Sequence, residues 1–364
     1  MKHSLTISPS HGGRRQAGLS LIELMVAMAI ALLMMGAILQ LFLDVTRTND
    51  DMERTNAQIE SGRFTFQAIG QGLLHAGFWD GYVPEYDDLA SKDIPTGYPA
   101  SFLAPDPCLA YASWTAQYRD NLLRMPVQSF AAVPSGCTGV IQDHKANSDI
   151  LVVRHADTAV TATPDGSKVY LQVSYCNTAS TYDYVLAKEG FSMTRRDCST
   201  AAATRRYVAN IYYLRNDNTL MRAEYVGGAS EWNVQPLVDG VEGLVVELGI
   251  DHLSDSGAEV NYASAITWAD PLNKVSPTNR GDGAPDGGFV RCPAAGCSAD
   301  QLINVVAAKL HVLVRATKPS PGYTDSKTYN LGAVALGPFN DSIKRHAYTT
   351  AVRLNNVSAR RETP

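Results

Sequence analysis

The sequence predicts an α+β fold: a long N-terminal helix, transmembrane and then amphipathic, packed on a C-terminal antiparallel β-sheet domain with long disulfide-pinned loops. Three observations carry that reading. From Leu19 to Leu43 the only polar side chains are Ser20, Glu23 and Gln40. A polar helical pattern continues to about Gly77, and from Asp149 the apolar residues fall into strand-like runs and alternations. All six cysteines lie beyond the apolar run.

Residues 1–18 form a polar leader with Lys2, Arg14 and Arg15 and no acid. The 25 residues 19–43, as a helix rising ~1.5 Å each, extend roughly 37 Å, enough to cross a ~30 Å hydrocarbon core. Glu23 is the exception inside that run. An ionised group in a membrane span costs a few kcal/mol and marks a functional site by default. Lys2, Arg14 and Arg15 precede the span, and Asp44, Asp50 and Asp51 follow it. Positive residues stay inside, so the bulk of the chain is expected outside the cytoplasm. An ordinary secretory signal would be cut at Ala29-Ile30-Ala31, leaving Leu32-Leu33-Met34-Met35 at a new terminus and a charge inside a short apolar core. A twin-arginine signal at Arg14-Arg15 and an uncleaved anchor are the other readings.

Residues 44–77 read as the amphipathic continuation of the helix. Val45, Met52, Ile59, Phe66 and Leu73 recur every seven residues, with Ile69 and Ala76 beside them. That stripe is expected to pack on the globular domain and leave the opposite face to neighbouring subunits. A free coiled coil is the rival, weakened by Thr48, Thr55 and Gly62 in its second seam. The helix is expected to end near Ala76-Gly77.

Residues 78–364 read as a β-rich extracytoplasmic domain. Residues 78–148 are rich in Pro, Gly and aromatics and read as loops with short elements. Strands are expected at Ile150–Val153, Val169–Tyr175, Val241–Ile250 (with Gly243 and Gly249 as bulges), Lys309–Arg315 and Tyr348–Leu354. Ile211–Leu214 and Leu220–Val226 flank a hairpin turn at Arg215–Thr219. The even cysteine count fits a compartment that permits disulfides, and six cysteines allow 15 pairings. The expected pairing is sequential: Cys108–Cys137, Cys176–Cys198 and Cys292–Cys297, the last across a short loop with Pro293 and Gly296. A zinc site is the alternative, with no second close cysteine pair or His-x-x-x-His spacing to support it.

Gly18 followed by Leu19-Ser20-Leu21-Ile22-Glu23-Leu24-Met25-Val26-Ala27 resembles the class III signal of type IV prepilins and type II secretion pseudopilins. The resemblance implies that a prepilin peptidase cuts after Gly18 and N-methylates Leu19. Leu19 stands where Phe is commonest, and Ser20 where Thr is. It also implies a filament of parallel helices, in which the α-amine of one subunit lies beside Glu23 of its neighbour. A paired buried carboxylate costs far less than an unpaired one, which makes Glu23 a subunit-assembly and registry residue.

The rest of the chain resembles PilW-type minor pilins. The segments are Ser61-Gly62-Arg63, Leu73–Trp79, Asn210–Arg215, Leu237–Glu242, Leu313–Arg315 and Val352–Asn355. This resemblance implies a low-abundance pilus component that primes assembly with other minor pilins and stays near the tip, beneath a large tip adhesin. Its implied partners are prepilin peptidase, other minor pilins, the major pilin and the inner membrane. Its implied location is the bacterial inner membrane, single-pass with a periplasmic C-terminal domain, and then the extracellular pilus tip. A J-like minor pseudopilin of type II secretion and a membrane-anchored extracytoplasmic binding protein are the alternatives.

Composition narrows the classes further. The chain has 364 residues with 31 basic and 36 acidic side chains; without Lys2, Arg14 and Arg15, 28 face 36 and the formal charge is −8. No nucleic-acid partner is expected, because a phosphate-binding surface needs a basic excess. No Gly-x-Ser-x-Gly elbow, phosphate-cradling loop or His-Glu-x-x-His occurs, and no catalytic residue or cofactor is expected. His311 falls on the polar face of a strand, where a solvated or hydrogen-bonded histidine is expected. Asp282 and Asp286 are candidate Ca²⁺ ligands, as are Asp251 and Asp255, although Arg280 opposes a cation and turn chemistry explains such loops equally well.

Overall fold

The protein is described by a computed structural model covering residues 18, 20–87, 102–176, 184–228, 230–273 and 275–362. The expected cut therefore involves residues outside the described ones, including Leu19. The chain divides into two compact units, Met1–Glu53 and Arg54–Pro364. A single helix, α1 (Leu21–His75), supplies most of the first unit and begins the second.

In the first unit every described side chain of the apolar run is exposed. This stretch is long and apolar enough to cross a membrane. None of the described residues of the unit buries it.

The second unit holds the sheets. After α1 come α2 (Ala116–Arg124), β1 (Val127–Phe130), β2 (Ile150–Val160), β3 (Tyr170–Val173), β4 (Tyr184–Ala187), β5 (Thr204–Leu214), β6 (Thr219–Tyr225) and β7 (Trp232–Asp239). These strands form one antiparallel sheet in which β5 pairs with β2 on one side and with both β3 and β6 on the other. β8 (Val241–Ile250), β11 (Val290–Arg291), β12 (Val305–Arg315) and β15 (Arg345–Arg353) form a second sheet in the order β11-β8-β12-β15. Between them lie the small pairs β9 (Trp268–Asp270) with β10 (Val275–Pro277) and β13 (Tyr329–Leu331) with β14 (Val334–Leu336), and the short α3 (Ala299–Leu302). A final helix, α4 (Asn355–Arg361), follows β15.

The hairpin expected at Arg215–Thr219 joins β5 to β6, with Asn218 in the left-handed region at φ 67°. Asn tolerates that conformation better than most side chains, which suits it to a tight turn. The apolar run Ile150–Val153 is buried on both sides. Leu151 and Val153 join the main core with Tyr212 and Leu214, and Ile150 and Val152 join a smaller core with Ile211 and Tyr213. Beside Gly243 the register of β8 slips so that Glu242 becomes the extra residue, and beside Gly249 the extra residue is Val306 on β12. A bulge re-aims a side chain, and Glu242 is aimed at a buried guanidinium. Arg345 donates to Glu242, Asp325 and Asp341 and lies 3.7 Å from the Phe339 ring centre. The strap from 317 to 345 is thereby fastened to the sheet it leaves.

The helix packs on a different face from the one its heptad spacing predicts. Phe66, Ile69, Leu73 and Ala76 are at least half-buried as expected, but Val45, Met52 and Ile59 are exposed. Gln58, Gly62 and Thr65 occupy the buried face instead. The reason is close approach. A Cβ on Gly62 would sit 2.8 Å from the Tyr348 ring, and the Gln58 amide donates to Lys344 O at 2.6 Å. Tyr212 OH donates to Ala68 O at 3.2 Å, six residues beyond Gly62. The helix ends as expected, with Gly77 at φ 73° donating its N–H to Arg154 O at 3.1 Å. Gly62→Leu is expected to destabilise the domain: the helix-propensity gain of under about 1 kcal/mol is outweighed by roughly 1–3 kcal/mol of overpacking. Thermal unfolding checks this, and an unchanged midpoint refutes it.

Several elements were not placed by the sequence reading, β1 and α4 among them. β1 follows Pro126 within the stretch read as loop, and α4 follows the last strand with only Val357, Ser358 and Arg361 buried.

Candidate functional site

The site expected from sequence is the start of α1. Gly18 is exposed, and among the described residues a Cβ there would meet nothing within 4 Å. Ser20 and Glu23 form a capping arrangement. Glu23 Oε2 accepts from Ser20 N–H at 2.9 Å, and Glu23 N–H donates to Ser20 Oγ at 3.2 Å. Serine at the cap with glutamate three residues on is a recognised helix-start signature. The sequence reading gave Glu23 an intermolecular role and missed this local one, although the Ser-x-x-Glu spacing was there to find. The carboxylate is exposed in the single chain, satisfied by its own helix start.

The cysteines are brought together as Cys108–Cys137, Cys176–Cys198 and Cys292–Cys297, the sequential arrangement. Asp282 and Asp286 cap loop backbone. Asp282 Oδ1 accepts from Ala284 N–H at 2.8 Å, and Asp286 Oδ2 accepts from His252 and Leu253 N–H at 2.7 and 2.6 Å. The Asp251 carboxylate takes the N–H of Gly283 at 2.9 Å and the Arg361 guanidinium at 3.2 Å. Among the described residues no group of three or more His, Cys, Asp or Glu converges to hold a metal ion. His311 is buried, with Nδ1 facing Thr349 Oγ1 at 2.9 Å and Nε2 facing Glu247 Oε2 at 3.2 Å, a hydrogen-bonded histidine within the sheet.

Comparison with known proteins bears on both ends of the chain. A model of the prokaryotic N-terminal methylation motif matches residues 13–39, spanning Gly18, Ser20 and Glu23. A model described as Type IV Pilus-assembly protein W matches residues 209–356. The chain is a type IV pilin-like protein with a PilW domain. In this pilin-like chain the PilW domain takes in most of β5, all of β6 to β15 and the first two residues of α4. It contains the segments Asn210–Arg215, Leu237–Glu242, Leu313–Arg315 and Val352–Asn355, whereas Ser61–Arg63 and Leu73–Trp79 precede it. A solved type IV-like pilin from Thermus thermophilus is similar at 12% identity and a TM-score of 0.34, covering 82% of this chain and 96% of that one. No curated relative matches the chain.

Proposed function

We propose that this pilin-like protein is a minor pilin that helps to prime type IV pilus assembly and sits at or near the filament tip. Its role is structural rather than catalytic. The observation that carries the reading is one carboxylate, Glu23, at the head of an apolar helix whose side chains have no cover in their own unit. Such a surface is finished only by lipid or by other helices. A prepilin peptidase removes residues 1–18 and methylates the Leu19 amine. The chain then stands in the bacterial inner membrane with its sheets in the periplasm, and leaves it by packing against other minor pilins and the major pilin. A tip adhesin is the partner beyond them.

Two experiments test this. Deleting the chain is expected to strip cells of pili, with the epitope-tagged protein recovered in sheared filaments. Intact piliation on deletion, or lost protein secretion in its place, overturns the pilus reading. Intact mass spectrometry is expected to find a mature chain starting at methylated Leu19, and Gly18→Leu is expected to leave the precursor uncut, because a peptidase must approach that backbone closely. A correctly trimmed Gly18→Leu chain contradicts the processing step.

A further inference from the structure

A cleft of about 260 Å³ opens beside the end of α1, floored by β2, β5 and β6. Cross-strand register builds the floor: His155 stands opposite Val208, and Asn210 opposite Glu224. His75, in the last turn of α1, stands on the wall. The two imidazoles face each other with ring centroids 5.5 Å apart and planes inclined at 36°.

Their hydrogen bonds fix which nitrogen is bare. His75 Nδ1 lies 2.9 Å from Gln71 O, and His155 Nδ1 lies 2.8 Å from Ala156 O. A carbonyl oxygen only accepts, so each Nδ1 carries the proton and each neutral ring keeps its lone pair on Nε2. Metal-ligating histidines are held this way, with the other ring N–H donated to a carbonyl or carboxylate. Separation agrees as well. An ion about 2.0–2.1 Å from two imidazole nitrogens, at a tetrahedral angle, sets the ring centres roughly 5 Å apart. Burial, ahead of all other influences, lowers the His155 pKa and keeps that ring neutral.

A second, independent observation points into the same cleft. Asn210 is 7% exposed and lines the floor, and among the described residues its Oδ1 has no hydrogen-bond partner. A buried acceptor left alone calls for a donor that the protein does not supply. Two guanidiniums, Arg206 and Arg222, also line the cleft, but they are turned onto carboxylates. Arg206 contacts Glu224 at 2.9 Å and Asp157 at 3.6 Å, and Arg222 contacts Glu224 at 3.4 Å. These four charges cancel, so a cation entering between the imidazoles meets no net repulsion from them.

We propose that His75 and His155 form a two-imidazole site for a divalent transition ion such as Zn²⁺, with water completing the coordination and Asn210 Oδ1 accepting from that water. The ligand set is borderline-soft nitrogen, which excludes Ca²⁺ and Mg²⁺. A bound ion would pin the end of α1 to β2.

The test is calorimetric titration of the tag-free, full-length chain in detergent with ZnCl₂, alongside Co²⁺ absorption. One ion per chain is expected, with His75→Gln and His155→Gln each weakening binding about tenfold or more and both removing the visible Co²⁺ bands. Absence of binding, or binding unchanged in His75→Gln, overturns the site. Because His75 is exposed, its variant keeps the fold intact and gives an answer even where His155→Gln unfolds.

Discussion

Glu23→Ala is expected to insert and be trimmed normally yet fall out of the filament, with its content in sheared pili reduced about tenfold or more, a loss of at least ~1.4 kcal/mol per incorporation step. In the single chain the carboxylate has a local partner, the Ser20 N–H at 2.9 Å. That bond offsets only part of the few kcal/mol that an ionised group costs in hydrocarbon. In the proposed filament a neighbour's α-amine would supply the remainder, and only at the correct stagger, so the acid would select register. The same substitution also removes half of a capping box. Ser20→Ala separates the two effects: it costs the helix start about 1 kcal/mol and leaves the carboxylate in place. Normal incorporation of Ser20→Ala beside loss of Glu23→Ala is the expected immunoblot. Equal losses assign the defect to the helix start, and normal incorporation of Glu23→Ala sinks the registry role.

Arg361→Leu is expected to cost the domain about 3–5 kcal/mol, the usual penalty for stripping one partner from a buried ion pair. Its guanidinium is 4% exposed and meets Asp87 at 3.0 Å, Asp251 at 3.2 Å, Asn304 Oδ1 at 3.0 Å and Ile303 O at 2.8 Å. Burial by itself would make that charge harder to keep; Asp87, Tyr262 and Asp251 reverse this and hold its pKa well above the ordinary arginine value. Asp251 is fully buried, and burial raises its pKa even with the arginine present. Without the arginine, the buried Asp87 and Asp251 lose the guanidinium they share. For a unit of this size the loss corresponds to a melting midpoint lower by roughly 5–8 °C. Near-ultraviolet circular dichroism during heating reads it, and a midpoint within about 2 °C of the parent shows that the pair contributes little.

Elements governed by short-range chemistry were legible in the sequence. The turn at Arg215–Thr219, the alternation of Leu310, Val312 and Val314 and the exit from α1 at Gly77 each depend on a few neighbouring residues, and each lies where expected. What failed depended on distant partners. Val45, Met52 and Ile59 have the spacing of a packed stripe, but the helix turns Gly62 to the sheet because a ring of β15 lies against it. Gln58 looks solvated until Lys344 O, 286 residues away, accepts from it. Arg361 reads as a surface charge because nothing nearby in sequence announces Asp87 and Asp251. At the candidate site Gly18 and Glu23 were readable from their order alone, whereas His75 and His155 meet only when β2 folds against the end of α1.

The bond between Arg361 and Asp87 joins residues 274 positions apart. On a ribosome feeding a membrane channel, Asp87 is delivered long before its mate. On the proposed topology, the apolar anchor would lodge in the bilayer while the portion behind it is still open, and the latch would close only after nearly all of the polypeptide had crossed. On that topology, any product that stops short of Arg361 would arrive with Asp87 and Asp251 buried and missing their shared guanidinium, open to proteases before it could join a filament.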